Sequence, residues 1–251
     1  MRLLVSNDDG IESPGLLLLA ETLRAAHYDV WVVAPRFEQS AKSHSLSMHD
    51  PLRVDEVDER MFSVTGTPAD CVYLAIHGLL PGPPDVVISG INRGSNLGSD
   101  VHYSGTVAAA REGALQGLPA LAVSLASGQI GEGPYWETAA AVLMRSLAAI
   151  LKQPMPPRTV LNLNVPACPL AELKGIRACR LGHRVYAPKV DRRVDPRGKH
   201  YVWIGGPHLH FEGGEDADGP AIEAGWATAT PLACDITDSH ELERIRAWTD
   251  D

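Results

Sequence analysis

Short runs that are apolar at almost every position recur along the chain: Leu3–Val5, Val30–Val33, Val86–Ile88, Leu121–Val123 and Val160–Leu163. A strand with one wet face alternates apolar and polar residues, so these runs read as strands covered on both faces, in a parallel sheet between helices. Helical patterns fall between them. Ser13-Pro14 pairs a capping serine with proline at the first helical position, and Leu16, Leu19, Leu23 and Ala26 then repeat at helical spacing. Thr67-Pro68-Ala69-Asp70 starts a second helix with an acid at its positive end, and Trp136, Ala140, Leu143, Leu147 and Ile150 form a third stripe. This alternation predicts an α/β fold, a Rossmann-like three-layer α/β/α sandwich over residues 1–175. From 176 to 251 the character changes. A basic stretch, a glycine- and acid-rich stretch, a strand over Ala221–Leu232 and a helix from about Ser239 predict a C-terminal extension with a hairpin, a strand and a terminal helix.

Charge narrows the function. There are 22 Lys+Arg against 31 Asp+Glu, net −9, which argues against a nucleic-acid partner. A small phosphorylated substrate is compatible, because a metal ion can supply positive charge locally. Cys71, Cys168, Cys179 and Cys234 form no CxxC pair, so neither a zinc site nor a disulfide framework is expected, and a reducing cytoplasm is the simpler location. No stretch is long and apolar enough to span a bilayer, and the N-terminus does not read as a signal peptide.

Polar residues gather after the predicted strands: Asp8-Asp9 after the first, Gln39–Ser45 after the second, and Gly90–Asn96 after Val86–Ile88. The carboxyl ends of parallel strands share one edge, so three clusters distant in sequence can meet there. Carboxylates, hydroxyls and amide carbonyls are hard oxygen donors suited to Mg²⁺ or Mn²⁺, and a dication would turn the repulsion between Asp8 and Asp9 into joint attraction. Taken singly, Asp8-Asp9-Gly10 also suits a turn with a capping acid, and Asn92 and Asn96 suit turn positions. Tyr103-Ser104-Gly105-Thr106-Val107 then opens an alanine-rich helix, whose N-terminal amides could receive a phosphoryl group or simply be capped by serine.

Five stretches together, Ser6–Gly10, Ala34–Ser40, Gly66–Val72, Ser89–Asn96 and Tyr103–Val107, resemble the SurE (survival protein E) nucleotidases, as do Trp203–Gly205 and Ala229–Leu232. The resemblance implies a metal-dependent phosphomonoesterase acting on nucleoside 5′- and 3′-monophosphates, in some members also on short polyphosphate. It implies one Mg²⁺ or Mn²⁺ per subunit on Asp8, Asp9, Ser40 and Asn92, and phosphate near Asn96 and Ser104, Gly105 and Thr106. Asp8, Asp9 and Asn96 are then the catalytic residues, by water attack or through an aspartyl-phosphate. It also implies a homodimer or homotetramer joined through the C-terminal extension. Two rival readings are a haloacid-dehalogenase-like phosphatase, disfavoured because Gly10 breaks the Asp-x-Asp pattern, and a nucleotide-binding module with a structural cation. His102 and the Pro207–Phe211 stretch depart from the family pattern; His208 and His210 would share a strand face but lack a third ligand, so an exposed strand or loop is expected.

Overall fold

The computed structural model describes residues 1–126 and 135–249. In chain order its elements are β1 (Arg2–Ser6), α1 (Pro14–Ala25), β2 (Asp29–Pro35), β3 (Val54–Asp58), β4 (Met61–Val64), α2 (Pro68–Leu74), β5 (Val86–Arg93), α3 (Gly105–Leu115), β6 (Ala120–Ala126) and α4 (Trp136–Lys152). The chain continues through β7 (Thr159–Pro166), β8 (Ile176–Ala178), β9 (His183–Tyr186), β10 (Val190–Val194), β11 (His200–Ile204), β12 (His208–Glu212), α5 (Asp218–Glu223), β13 (Ala227–Ala233) and α6 (Ser239–Thr249).

A nine-stranded sheet in the order β3-β4-β2-β1-β5-β6-β7-β13-β8 forms the middle layer. From β4 to β7 every pairing is parallel. Leu3 and Val5 point into one apolar cluster with Leu16, Leu19 and Leu23 of α1 and Leu143 and Leu147 of α4. Leu4 points into the other, with Val72 of α2 and Val107 and Ala110 of α3. Both faces of β1 are therefore roofed, which is why its sequence does not alternate. Each fully buried leucine contributes on the order of 2 kcal/mol. The fold is α/β with helices on both sides of the sheet, as expected.

The chain leaves β1 through α1 to β2 on one side and later enters β5 on the other side of β1. Strand order reverses there, which opens a crevice at the carboxyl ends of β1 and β5.

Two elements differ from the sequence reading. Ala221–Leu232 is not one strand: α5 ends at Glu223, Gly225 turns the chain with φ +86°, and only Ala227–Ala233 is strand. β13 then returns to the main sheet, antiparallel to β7 and parallel to β8, so the C-terminal region shares the core sheet. The β3–β4 hairpin at the sheet edge was not foreseen; β3 is exposed at all positions and carries Asp55, Glu56 and Asp58. The remaining strands form two ribbons, β10–β11 and β9–β12. The β9–β12 register shifts between His208 and His210, and His208 packs on Phe211 while His210 meets Glu212. Among the described residues no group of three or more His, Cys, Asp or Glu is placed to hold a metal.

Candidate active site

Asp8 and Asp9 follow β1 directly. The turn is held by Asn7, whose side-chain amide donates to Gly10 O and Ser13 Oγ, both at 2.9 Å. Gly10 takes φ +101°, a conformation that side chains disfavour, and so lets the chain turn straight from the two acids towards α1.

Asp8 is 5% exposed, and its Oδ1 accepts the Thr106 hydroxyl at 2.5 Å. A Cβ on Gly105 would lie 2.7 Å from Asp8 Cβ, so only glycine lets the start of α3 approach this closely. The helix N-terminus that the sequence assigns to phosphate thus faces Asp8. Thr106 holds the carboxylate through its hydroxyl, and of Ser104, Gly105 and Thr106 it is Ser104 that lines the cleft. Ser104 also caps α3, its Oγ accepting Val107 N at 3.0 Å.

Burial, with Asp9 adding repulsion, pushes the Asp8 carboxyl up to about 6 against the opposing Thr106 hydrogen bond. Burial also raises Asp9; Glu38 adds to this, and the Arg93 backbone N–H, which donates to Asp9 Oδ2 at 3.0 Å, works against it.

The second cluster reaches the first through the backbone: Gln39 N donates to Asp8 O at 2.7 Å. Ser40 follows, its hydroxyl donating to Glu38 at 2.8 Å, which leaves oxygen lone pairs for a cation. Asn92 lies inside β5, not after it. The β5–β6 register breaks between Ser89 and Asn92, setting Asn92 opposite Ser124. Gly90 makes this irregularity feasible, since a Cβ there would sit 2.2 Å from Val123 O. Asn92 gives an N–H to Gly94 O at 2.8 Å, leaving its carbonyl oxygen as a donor atom for a cation.

Asn96, 7% exposed, is clamped from all sides. Its backbone N–H donates to Asn164 Oδ1 at 2.8 Å, and its side-chain amide donates to Ser124 Oγ at 2.7 Å. Its carbonyl accepts from Asn162 and Asn164, at 2.9 and 3.0 Å. Sequence reasoning overlooked these partners, although Asn162 and Asn164 sit at period two within the otherwise apolar run Val160–Val165, a visible signal of a polar task on one face.

Asp8, Ser40, Asn92, Asn96 and Ser104 line one cleft of about 400 Å³. Asp9 lines a neighbouring cleft of about 630 Å³, and Ser40 and Arg93 border both. The donor set for a cation is two raised carboxylates, one hydroxyl and one amide oxygen, which fits a hard dication such as Mg²⁺ or Mn²⁺ and lacks the thiolates and imidazoles that favour zinc.

The loop carrying Ser40 is tied to α3. Ser43 donates through its N–H to Tyr103 O and through its hydroxyl to His102 O, and His44 Nε2 meets Glu112 Oε2 at 2.8 Å. The His44 contact holds Glu112 below its ordinary value of 4.5, against the effect of burial. A carboxylate lowered by folding adds stability above its unfolded pKa and loses it as pH falls through the lowered folded value. Melting temperatures measured from pH 3 to 6 should therefore show a steeper acid-side fall for the natural protein than for Glu112→Gln. Parallel curves would contradict this tie.

The family model described as survival protein SurE matches residues 3–188. A protein named 5′-nucleotidase SurE from Geobacter metallireducens is 46% identical over 248 residues, covering 99% of this chain and 97% of its own. One of the same name from Coxiella burnetii is 47% identical, with 99% and 95% covered. The crystal structure of the SurE protein from Aquifex aeolicus superposes over 100% of both chains with a TM-score of 0.86 and 37% identity. With the sequence match running through the first β-strand, both acids and the clamped asparagine, this chain belongs to the survival protein SurE family.

Proposed function

We propose that the chain is a nucleotidase, a phosphomonoesterase that hydrolyses nucleoside 5′- and 3′-monophosphates and also accepts short polyphosphate. The observation that carries this reading is the convergence of Asp8, Ser40, Asn92, Asn96 and Ser104 on one cleft from segments distant in sequence. The 5′-nucleotidase names of its relatives support it. One Mg²⁺ or Mn²⁺ per subunit would be held by Asp8, Asp9, Ser40 and Asn92, and when bound it supplies positive charge to the phosphate and acidifies the attacking water.

The chain's own residues do the rest. Asn96, fixed by Ser124, Asn162 and Asn164, keeps one side-chain N–H for an equatorial phosphate oxygen. The Ser104 hydroxyl accepts from Val107 N, so its proton is available to the phosphate. Thr106 orients Asp8 through its hydroxyl, and Gly105 gives that helix end its close approach. An Asp8 or Asp9 carboxylate accepts the proton of the attacking water. Phosphate release from AMP with Mg²⁺ or Mn²⁺, against the same sample with EDTA, tests the reading: turnover that disappears on metal removal is expected, and turnover indifferent to EDTA would overturn it.

The proposal extends to assembly. The β10–β11 ribbon exposes Val190, Val202, Trp203 and Ile204, the last by 90%, and α6 exposes Ile245 and Trp248. A lone two-stranded ribbon is marginal in water, and apolar surface of this kind suits a second copy of the chain, as homodimer or paired into a homotetramer. Light scattering should give two or four times 27.0 kDa, and Trp203→Asp should shift the mass down. A monomer at high protein concentration would contradict this. The free cysteines suit a cytoplasmic setting, and no helix among the described residues is long and apolar enough to cross a membrane.

A further inference from the structure

The cleft that holds Asp8 and Asn96 does not end at the phosphate residues. Tyr103 and Tyr186 line the same space, as do Ser95 and Asp100. Tyr103 directly precedes the Ser104 cap and is 66% exposed. Tyr186 arrives from β9, far along the chain, and is 41% exposed.

Exposed aromatic rings are ordinarily mobile, but Tyr186 is fixed. Its hydroxyl donates to Asp100 Oδ2 at 2.5 Å. Arg184, two residues before it on β9, donates to the same Asp100 oxygen at 2.9 Å and to Ser95 Oγ at 3.2 Å. The Arg184 guanidinium lies 5.2 Å from the Tyr186 ring centre, and the His208 ring meets it in edge contact at 6.1 Å. Burial and the Asp100 hydrogen bond push the Tyr186 phenol up to about 12, so its hydroxyl remains a donor at neutral pH. An aromatic side chain that is locked yet partly open loses little further entropy when a flat ligand settles on it.

The lining of the cleft asks for two kinds of chemistry in one molecule: a phosphoryl group at Asn96 and Ser104, and a flat uncharged ring system at the tyrosines. A volume of about 400 Å³ suits a ligand of nucleotide size. We infer that Tyr103 and Tyr186 form the subsite for the base of the nucleotide, with Asp100 and Arg184 as positioning residues for Tyr186. The inference deepens the nucleotidase reading and rests on it. Every base has a stacking face, so this subsite accepts purines and pyrimidines without reading their edges. It also makes the C-terminal region part of the active site through β9.

Steady-state kinetics on AMP and on ribose 5-phosphate, which lacks the base, test it. Stacking of about 1–3 kcal/mol per base predicts that Tyr103→Ala lowers the ratio of kcat/KM for AMP over ribose 5-phosphate roughly tenfold, mainly through KM. Tyr103→Trp should restore the ratio. Asp100→Asn should raise KM for AMP with less effect on kcat. Tyr186→Ala should act like Tyr103→Ala; should it fail to fold, the Tyr103 pair still decides. A ratio that stays within about twofold for Tyr103→Ala overturns the subsite and leaves the phosphatase reading intact. A natural protein that releases phosphate from neither compound removes both.

Discussion

Asp8→Asn should lower kcat for AMP by about a thousandfold or more, near 4 kcal/mol of barrier, while the melting temperature of the metal-free protein stays level or rises. Asparagine nearly keeps the shape and can still accept the Thr106 hydroxyl, so the approach of α3 survives. What it loses is charge. In the metal-free protein that charge is unfavourable, because burial and Asp9 hold the Asp8 carboxyl up at about 6. In the proposed function the same charge would draw a dication to this rim, so the substitution separates function from stability. Asp9→Asn should reduce turnover in the same way. Phosphate-release rates and melting curves on both variants check this; activity within about threefold of natural would mean that the acids are not the ligands.

Asp218→Ala should act through the opposite route and destabilise the whole molecule. Asp218 is 0% exposed, and its carboxylate accepts three backbone N–H groups: Gly98 at 2.8 Å, Gly182 at 2.9 Å and Gly219 at 2.9 Å. It therefore pins the 3-10 turn Gly98–His102, the loop before β9 and the start of α5 to one point. Alanine leaves those donors buried without an acceptor, at about 1–3 kcal/mol each. For a chain of this size that corresponds to a fall in melting temperature of roughly 10 °C or more. Asp218→Asn keeps one acceptor oxygen and should lose less. Turnover should fall with stability, because Gly98 leads into Asp100 and Ser104. A melting temperature within about 2 °C of natural would remove the pin from the account.

These two residues also mark what was legible in the sequence. Asp8 stands out because two acids follow an apolar run, and a strand buried on both faces is written in consecutive residues such as Leu3-Leu4-Val5. The caps at Ser13 and Thr67 were equally plain, and both form, the latter as a full capping box with Asp70. Asp218 gives no such signal, since two of its three partners lie 120 and 36 residues away and all are backbone groups. The Thr106–Asp8 hydrogen bond spans 98 residues, and the Tyr186–Asp100 bond spans 86. Local pattern carries periodicity and caps; it does not carry contacts made when distant loops meet. β3 was missed for another reason: an exposed edge strand rich in acids has no buried face to print on its sequence.

The proposed ligands Asp8, Asp9, Ser40 and Asn92 line two adjoining clefts that share Ser40 and Arg93, and there they would hold a single dication. Diffraction from crystals soaked in Mn²⁺, recorded at a wavelength where manganese scatters anomalously, tests it most directly. One strong anomalous peak per subunit is expected at coordination distance from the carboxylates of Asp8 and Asp9 and the amide oxygen of Asn92, together with its loss in Asp9→Asn. A map with no peak at that rim, or with its strongest peak elsewhere on the chain, would contradict it.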